Sequence, residues 1–131
     1  MTVTTENKVL VTDLYFELSL WLNEFKFYKD EISIFTNRLE EIVIRNTDVE
    51  IMKEVEHFQN QYIRQSEVID ELRHEMKQYE NLIEQEEKTN PIAFDHRYME
   101  DHRDLRGQMV QFKKIYNELK VEFMRFLAKW M

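Results

Sequence analysis

The fold is decided by residues 14–42, which read LYFELSLWLNEFKFYKDEISIFTNRLEEI. Apolar residues recur in this stretch at alternating intervals of four and three, without a polar interruption, at Leu14, Leu18, Trp21, Phe25, Tyr28, Ile32, Phe35, Leu39 and Ile42. A mean spacing of 3.5 residues kept over so many turns is typical of long helices that pack as left-handed coiled coils. The stretch therefore predicts one long helix with a single core-facing row.

Two further segments carry the same spacing. In the second, the row comprises Ile51, Val55, Phe58, Tyr62, Gln65, Ile69, Leu72, Met76, Tyr79 and Ile83. In the third, it comprises Tyr98, His102, Leu105, Met109, Phe112, Tyr116, Leu119, Phe123, Phe126 and Trp130. Gln65 is the polar member of the second row. It is either a buried residue that fixes the register of the helices, or a partly exposed residue at the edge of the row.

Start signals separate the three segments. Thr47 with Glu50 three residues later matches a capping box, and Asp48 suits the positive end of a helix dipole. Before the third segment, Asn90 can cap a helix whose first position is Pro91, where the missing N–H costs nothing. We therefore expect one helix to begin near residue 48 and another at residue 91.

These signals predict an all-α protein, an elongated antiparallel (up-down-up) three-helix bundle with coiled-coil-like packing. Short connections make consecutive helices antiparallel neighbours. The first helix is expected to begin near Thr12 or Asp13, or one turn earlier. The whole chain, residues 1–131, is expected to form a single domain with helices at about 12–46, 48–88 and 91–130.

The composition excludes several classes of protein. One Gly and one Pro among 131 residues leave too few turn formers for sandwiches, barrels, Rossmann units or phosphate-binding loops. The absence of Cys excludes disulfides, thiolate nucleophiles and cysteine-based zinc sites. A net charge of −8 opposes nucleic-acid binding, which depends on neutralising phosphates with Lys and Arg. No cofactor is expected.

The first residues predict no export signal. They lack a basic start and a small-residue cleavage site, and Asp13 and Glu17 interrupt the apolar run. No window contains eighteen uninterrupted apolar residues, so no membrane span is expected. These observations favour a soluble, cytoplasmic protein.

Residues 94–107, FDHRYMEDHRDLRG, concentrate histidines and carboxylates. At about 100° per residue, Asp95 and His102 lie about 20° apart on a helix, two turns from each other. His96 and Glu100 lie about 40° apart, on a face rotated by about 120° from His102. One metal ion could not collect ligands from both faces, and His96 with Glu100 is expected to form a solvated pair.

His102 interrupts an apolar row. If the ends of the antiparallel helices lie at the same height along the bundle, His102 is expected at the height of Glu17 and Gln78. One hypothesis is a metal or proton site made by His102, Asp95 and Glu17. The other is a row histidine that hydrogen-bonds a neighbouring carboxylate or amide, as buried polar groups generally must. The favoured interpretation is the second.

Two Glu-x-x-His motifs, Glu54 to His57 and Glu71 to His74, match the ligand pattern of di-iron bundles. In those bundles the motifs lie on different helices and converge on one site. Here they share a helix, roughly 25 Å apart. All four residues fall outside the core-facing row and are expected to face water, so the match is interpreted as accidental.

The first helix carries a second apolar row, made of Phe16, Leu20, Phe27 and Ile34, with Asn23, Asp30 and Asn37 beside it. An apolar stripe on a soluble protein tends to mark an interaction surface. Two interpretations compete. The other helices cover this row because the first helix is central, or the row contacts a second copy or another helical protein. A groove for a small apolar ligand is a weaker alternative.

The C-terminal segment combines aromatic and basic residues, the latter being Lys113, Lys114, Lys120, Arg125 and Lys129. A basic amphipathic helix can lie on an anionic membrane. Pairing of these cations with the acidic second helix and burial of the aromatics are favoured instead. Gly107, on the outer side of the helix, is interpreted as a kink, a point of close approach or a position without special meaning.

The sequence as a whole predicts a non-enzymatic interaction module that associates with itself or with another helical protein. The surface expected to do this is the row of Phe16, Leu20, Phe27 and Ile34. A metal-binding bundle centred on His102 is the first alternative, and membrane-surface binding by the C-terminal helix is a weaker one.

Overall fold

The computed structural model of the chain describes the backbone of residues 2–89 and 96–130 and side chains within residues 12–85 and 99–130. Three α-helices account for nearly all of it, α1 (Thr2–Arg45), α2 (Val49–Thr89) and α3 (His96–Trp130). The described ranges contain no strand. The predicted all-α three-helix bundle is therefore confirmed.

The start of α1 was predicted wrongly. The helix begins at Thr2, about ten residues before the expected start at Thr12 or Asp13. A polar residue caps a helix only where the preceding backbone leaves the helical conformation. No Gly or Pro precedes Thr12 to force such a break, so the helix extends through it. The start expected at Pro91 lies outside the described residues.

The turn between α1 and α2 spans only residues 46–48, and its side chains cap the end of α1 and the start of α2. Asn46 Nδ2 donates to the carbonyl of Ile42 at 2.9 Å, which satisfies one of the last carbonyls of α1. Asp48 Oδ1 accepts the Glu50 amide at 2.8 Å, and the Asp48 carbonyl accepts the Met52 amide at 3.1 Å. Asp48 is thus the N-cap of α2. The capping box had its N-cap at Thr47, one residue too early.

Aromatic contacts fix the directions of the helices. Phe35 of α1 packs against Tyr62 of α2 with ring centroids 5.4 Å apart and against Phe123 of α3 at 4.8 Å. Towards the other end of the bundle, Trp21 of α1 meets His102 of α3 at 5.1 Å. The contact residues on α1 and α3 therefore rise together, so these helices run parallel. Helix α2 runs antiparallel to both.

The three predicted core-facing rows supply the core. Every described side chain in them is buried except Tyr28 and Trp130, which are half-buried and pack against the rest. Gln65 is also buried, at 5% exposed, so of its two interpretations the one that places it partly exposed at the edge of the row is wrong. Because burying one large apolar side chain stabilises a fold by about 1.5–3 kcal/mol, these rows dominate its stability.

Candidate functional site

A row of ion pairs joins α1 to α3 along one side of the bundle. The Glu17 Oε1 to Arg106 Nη2 distance is 2.8 Å, that from Glu24 Oε2 to Lys113 Nζ is 2.6 Å, and that from Glu31 Oε2 to Lys120 Nζ is 2.9 Å. Both partners advance by seven residues from one pair to the next. We call these six residues the ladder. Its constant spacing shows that α1 and α3 keep one register over its whole length.

His102 lies at the first pair of the ladder. Its Nε2 is 2.5 Å from Glu17 Oε1, which also accepts Arg106 Nε at 3.0 Å. The ring of His102 stacks on Trp21 and meets Tyr79 at 5.8 Å between centroids. Only 2% of the histidine is exposed. The expected contact with Glu17 is therefore present, whereas Gln78 is exposed and Tyr79 is the α2 residue that packs on the ring.

The protonation of this cluster follows from its surroundings. Burial raises the pKa of the Glu17 carboxyl, but the hydrogen bonds and charges of Arg106 and His102 outweigh burial and hold that pKa below 4.5. Burial lowers the pKa of His102 below 6.5, although Glu17 opposes the change. At neutral pH, Glu17 is therefore ionised and a neutral His102 donates from Nε2.

With the proton on Nε2, the Nδ1 atom of His102 keeps its lone pair. Nδ1 is buried and has no hydrogen-bond partner among the described residues. The favoured interpretation, a histidine hydrogen-bonded to a neighbouring carboxylate, therefore holds for Nε2, which contacts Glu17, but not for Nδ1. Desolvation of Nδ1 without compensation reduces stability, which the packing of Trp21 and Tyr79 on the ring offsets.

A metal site here would rest on His102 and Glu17. Zinc sites typically use three or four protein ligands. Among the described residues, no three His, Cys, Asp or Glu side chains gather closely enough to hold an ion. The third predicted ligand, Asp95, lies outside the described residues, so the predicted metal site stays a prediction.

The last pair of the ladder is joined by a buried tyrosine. Glu31 Oε1 accepts the hydroxyl of Tyr116 at 2.7 Å, while its other oxygen meets Lys120. Burial, and then the hydrogen bond to Glu31, raise the pKa of Tyr116. Burial likewise raises the pKa of Tyr62, whose hydroxyl has no partner among the described residues. Both tyrosines stay protonated, so this cluster acts as a structural contact.

Sequence reasoning missed the Glu24 and Glu31 pairs. The signal was present, because Glu17, Glu24 and Glu31 recur every seven residues on one side of the α1 core row. Arg106, Lys113 and Lys120 recur at the same interval on α3. The C-terminal lysines had been expected to pair with acidic residues of α2. Lys113 and Lys120 instead pair with α1.

The second apolar row of α1 is exposed. Phe16 is 66% exposed, Leu20 45%, Phe27 58% and Ile34 59%. The interpretation in which α2 and α3 cover this row is therefore wrong. We call these four residues the α1 outer row.

The two Glu-x-x-His motifs do not come together. His57, Glu71 and His74 are exposed, as expected. Glu54 is only partly exposed, because its Oε2 accepts the indole N–H of Trp130 at 2.9 Å. This contact corrects the expectation that all four residues face water, and it gives Glu54 a structural role.

One hydroxyl lies close to an amine. Lys29 Nζ donates to Ser66 Oγ at 2.6 Å, a pairing of the kind that some hydrolases use. The same amine lies 2.9 Å from Asp70 Oδ1. An ammonium in an ion pair has no lone pair to accept the hydroxyl proton. This pairing therefore supports helix packing and not nucleophilic catalysis.

An open groove of about 630 Å³ lies between α2 and α3. Charges of both signs line it, among them Arg64, Glu71, Arg103 and Asp104, and Gly107 forms part of its wall. A Cβ added at Gly107 would meet nothing within 4 Å. Packing within the chain therefore does not require glycine at this position.

Comparisons with known proteins give no relatives. No family model matches the chain, and neither a curated protein nor a solved structure matches it. None of the described helices combines the length and the apolar character needed to cross a bilayer.

Proposed function

We propose that the protein is a non-enzymatic, self-associating interaction module of the cytoplasm, and that its contact surface includes the α1 outer row. The observation that carries this proposal is the exposure of two phenylalanines and two aliphatic residues on one line of a helix. Exposed apolar patches that are continuous along an element tend to mark interaction surfaces.

The geometry of the α1 outer row suits a helical partner. At about 100° per residue, Phe16, Leu20, Phe27 and Ile34 lie within about 40° of one another over roughly 27 Å. Leu20, Phe27 and Ile34 repeat at the seven-residue interval of the core rows. A coiled coil is the packing that such a repeat would serve at this outer face.

The occupant that we propose is a second copy of this chain. Helix α3 carries exposed apolar residues of its own, Val110 at 63% and Met124 at 42%. It also carries Lys114, opposite in charge to Asp30 beside the α1 outer row. One chain thus offers both halves of a contact. Symmetric homo-oligomers are, moreover, the commonest soluble assemblies.

Other surfaces support competing functions less well. The net charge of −8 disfavours nucleic acid. Membrane-surface binding by α3 would need its aromatics and lysines. Phe112, Phe123 and Phe126 are buried, and Lys113 and Lys120 are held in the ladder. These side chains are therefore engaged within the bundle.

Metal binding is a second candidate function, because His102 and Glu17 are in contact and Nδ1 of His102 is unpartnered among the described residues. Metal analysis of unchelated protein, with His102→Ala beside it, tests this. Stoichiometric metal that the variant loses supports the site, and protein without metal rejects it.

Light scattering tests self-association. We expect wild-type protein at micromolar concentration to have a mass well above the 16.3 kDa of one chain. Phe27→Glu places a charge in the α1 outer row and should shift the mass to that of a monomer without loss of helicity. The matched control is Ile63→Glu on α2, since Ile63 and Phe27 are both 58% exposed. The control should associate like the wild type.

Two results would contradict the proposal. A wild-type mass of 16.3 kDa at these concentrations removes self-association altogether. Equal effects of Phe27→Glu and Ile63→Glu would show that the α1 outer row is not the contact.

A further inference from the structure

We infer that two copies pair in parallel through the face that α1 and α3 form together. The two-fold axis runs along the bundle, and the α1 outer row of each copy lies against α3 of the other. This inference rests on the proposed self-association and gives it a face and a direction. It is carried by the charges of the ladder and by the two exposed rows that border the ladder.

The ladder lies between two exposed rows on one face of the bundle. Leu20, Phe27 and Ile34 each follow a ladder glutamate by three residues, which rotates them by about 60° away from the core row of α1. On α3, the residues three positions before the ladder cations are rotated by about the same angle in the opposite sense. With the residue seven positions further on, they form the α3 outer row, which comprises Arg103, Val110, Asn117 and Met124. All four are exposed, so the two rows face the same side of the molecule.

A two-fold axis can bring this face against its own copy in two aligned ways. An axis across the bundle makes the copies antiparallel, and because α1 and α3 of one chain are parallel, it sets α1 against α1 and α3 against α3. An axis along the bundle makes the copies parallel and sets α1 of each copy against α3 of the other. Both contacts are isologous, so either one closes at two subunits.

The charges of the ladder favour the parallel dimer. All the carboxylates of the ladder are on α1 and all its cations are on α3, and every one of these side chains keeps part of its surface exposed. In the antiparallel dimer the glutamates of one copy would face those of the other, and like charges that face each other are unfavourable. In the parallel dimer each ladder pair meets the same pair of the partner, with the signs alternating around the axis. Glu24 then lies between two Lys113 side chains, one from each copy.

Ring contacts within the chain fix the relative heights of α1 and α3. The residue numbers of rings in contact differ by 81 for Trp21 with His102 and by 88 for Phe35 with Phe123, and the mean over such contacts is about 86. A residue of α1 is therefore level with the α3 residue numbered about 86 higher. A two-fold axis along the bundle preserves height, so the same relation holds between α1 and the partner's α3.

At these heights the two rows interdigitate. Phe27 lies between Val110 and Asn117 of the partner subunit, and Ile34 lies between Asn117 and Met124 of the partner subunit. Side chains of one helix that fill the spaces between those of the facing helix are the packing of a parallel coiled coil. Both rows repeat every seven residues, so the match is kept along the whole contact.

Two charges outside the ladder agree with this pairing. Asp30 follows Phe27 by three residues and Lys114 precedes Asn117 by three, so both lie on the side of their row that is away from the ladder. Asp30 is level with residue 116 of the partner's α3, about 3 Å along the axis from Lys114 of the partner subunit. Among the described residues, neither Asp30 nor Lys114 makes an ion pair within its own chain. Each therefore gains a partner of opposite charge in the dimer.

A distance between spin labels tests the direction of pairing. The natural chain has no Cys, and Ile44 is 83% exposed near the end of α1, so Ile44→Cys gives one labelling site per chain. In the parallel dimer both labels lie at one height, across a square of helices about 10 Å apart, and we expect them about 20–30 Å apart. In an antiparallel dimer centred on Phe27, each label would be seventeen residues from the axis, and the two would be about 50 Å apart. Pulsed dipolar spectroscopy distinguishes these distances.

Charge exchange tests which residues meet. Asp30→Lys and Lys114→Asp should each raise the dimer dissociation constant by about tenfold, because each sets like charges against each other twice per dimer. The double variant restores both pairs in reverse and should return to within about threefold of the wild type. Analytical ultracentrifugation measures these constants. The matched control is Glu56→Lys, an equal change of charge at an exposed position on α2, and it should leave the dissociation constant within about twofold of the wild type.

The outcomes separate the two proposals. A monomeric wild type overturns both the proposed function and this inference. A dimer with labels about 50 Å apart, or a double variant at least as weak as the single ones, overturns only the parallel pairing. An assembly whose mass exceeds twice the 16.3 kDa of one chain overturns the closed pair and leaves self-association standing.

Discussion

Helices α1 and α2 bury the same kind of row but place their charges differently. On α1 the glutamates of the ladder reach across to α3. On α2 charges pair with each other one turn apart, as in Arg64 with Glu67 at 3.3 Å and Arg73 with Asp70 at 3.2 Å, and of these residues Asp70 also reaches across, to Lys29 of α1 at 2.9 Å. The outer surface of α2 is consequently charged, whereas the middle of α1 exposes an apolar line.

The fold of the bundle does not need the α1 outer row. Helix α2 contributes a core row of the same spacing while Ile63 is an isolated apolar residue in the middle of its outer side. Residues that the bundle leaves exposed add little to its stability, and large apolar ones promote association. The exposure of the α1 outer row is therefore not required by folding, and it leaves this row free for the proposed contact with a second copy.

The strongest test of this comparison uses two phenylalanines of α1. Phe25 is fully buried and Phe27 is 58% exposed. We expect Phe25→Ala to lower the free energy of unfolding by about 3–5 kcal/mol. Phe27→Ala should change it by about 0.5 kcal/mol or less when the protein is dilute enough to be monomeric. Urea denaturation followed by circular dichroism measures both values.

Equal losses of unfolding free energy for the two substitutions would contradict this prediction, since Phe27 would then be part of the core. A loss for Phe27→Ala that grows with protein concentration would support self-association through the α1 outer row, because the stability of an associating chain depends on concentration.

A smaller effect separates the two kinds of ion pair. Glu31 is 13% exposed and bridges Tyr116 and Lys120, whereas Glu67 is 58% exposed and meets Arg64 on its own helix. Glu31→Gln should destabilise the protein by about 1–2 kcal/mol, because a partly buried pair loses its charge. Glu67→Gln should cost about 0.5 kcal/mol or less.

Thermal unfolding of the two variants beside the wild type measures this difference. If Glu31→Gln were as mild as Glu67→Gln, the ladder would not contribute more than ordinary surface pairs. In that case it could not be what holds α1 and α3 in register.

The core could be predicted from the sequence because burial repeats along each helix by itself. Phe25, Leu72 and Leu119 were placed correctly from spacing alone. Gln65 was the exception, because a polar side chain at a row position can lie in the core or at its edge. The start of α1 was missed for a related reason, since Thr12 and Asp13 suit a cap and a helix interior alike.

The candidate site could be predicted only in part. The contact between His102 and Glu17 could be predicted by placing the ends of the helices at the same height along the bundle. The pairs made by Glu24 and Glu31 depend on the rotation of α1 relative to α3, which no single helix encodes. The same rotation decides that Phe27 is exposed, so the sequence alone left the covered and exposed interpretations open.

The smallest predicted effect is a pH dependence at the first pair of the ladder. Burial holds the pKa of His102 below 6.5 in the folded chain, so the unfolded chain binds more protons in mildly acidic solution. The free energy of unfolding should therefore be undiminished above about pH 7 and fall as the pH drops through 6.5 towards 5. Glu17, with its pKa held below 4.5, stays ionised over this interval.

His102→Phe isolates this contribution, because a phenyl ring keeps the packing on Trp21 and Tyr79 but cannot titrate. Urea denaturation at several pH values between 7.5 and 5 should give a shallower decline for the variant than for the wild type. Parallel curves would show that protonation of His102 is not coupled to folding. A wild type that becomes more stable on acidification would show that Glu17, and not burial, governs His102. A protonated His102 would then be a second cation paired with Glu17, beside Arg106. The contacts of Glu17 with α3 would in that case all be ion pairs, as are those of Glu24 with Lys113 and of Glu31 with Lys120.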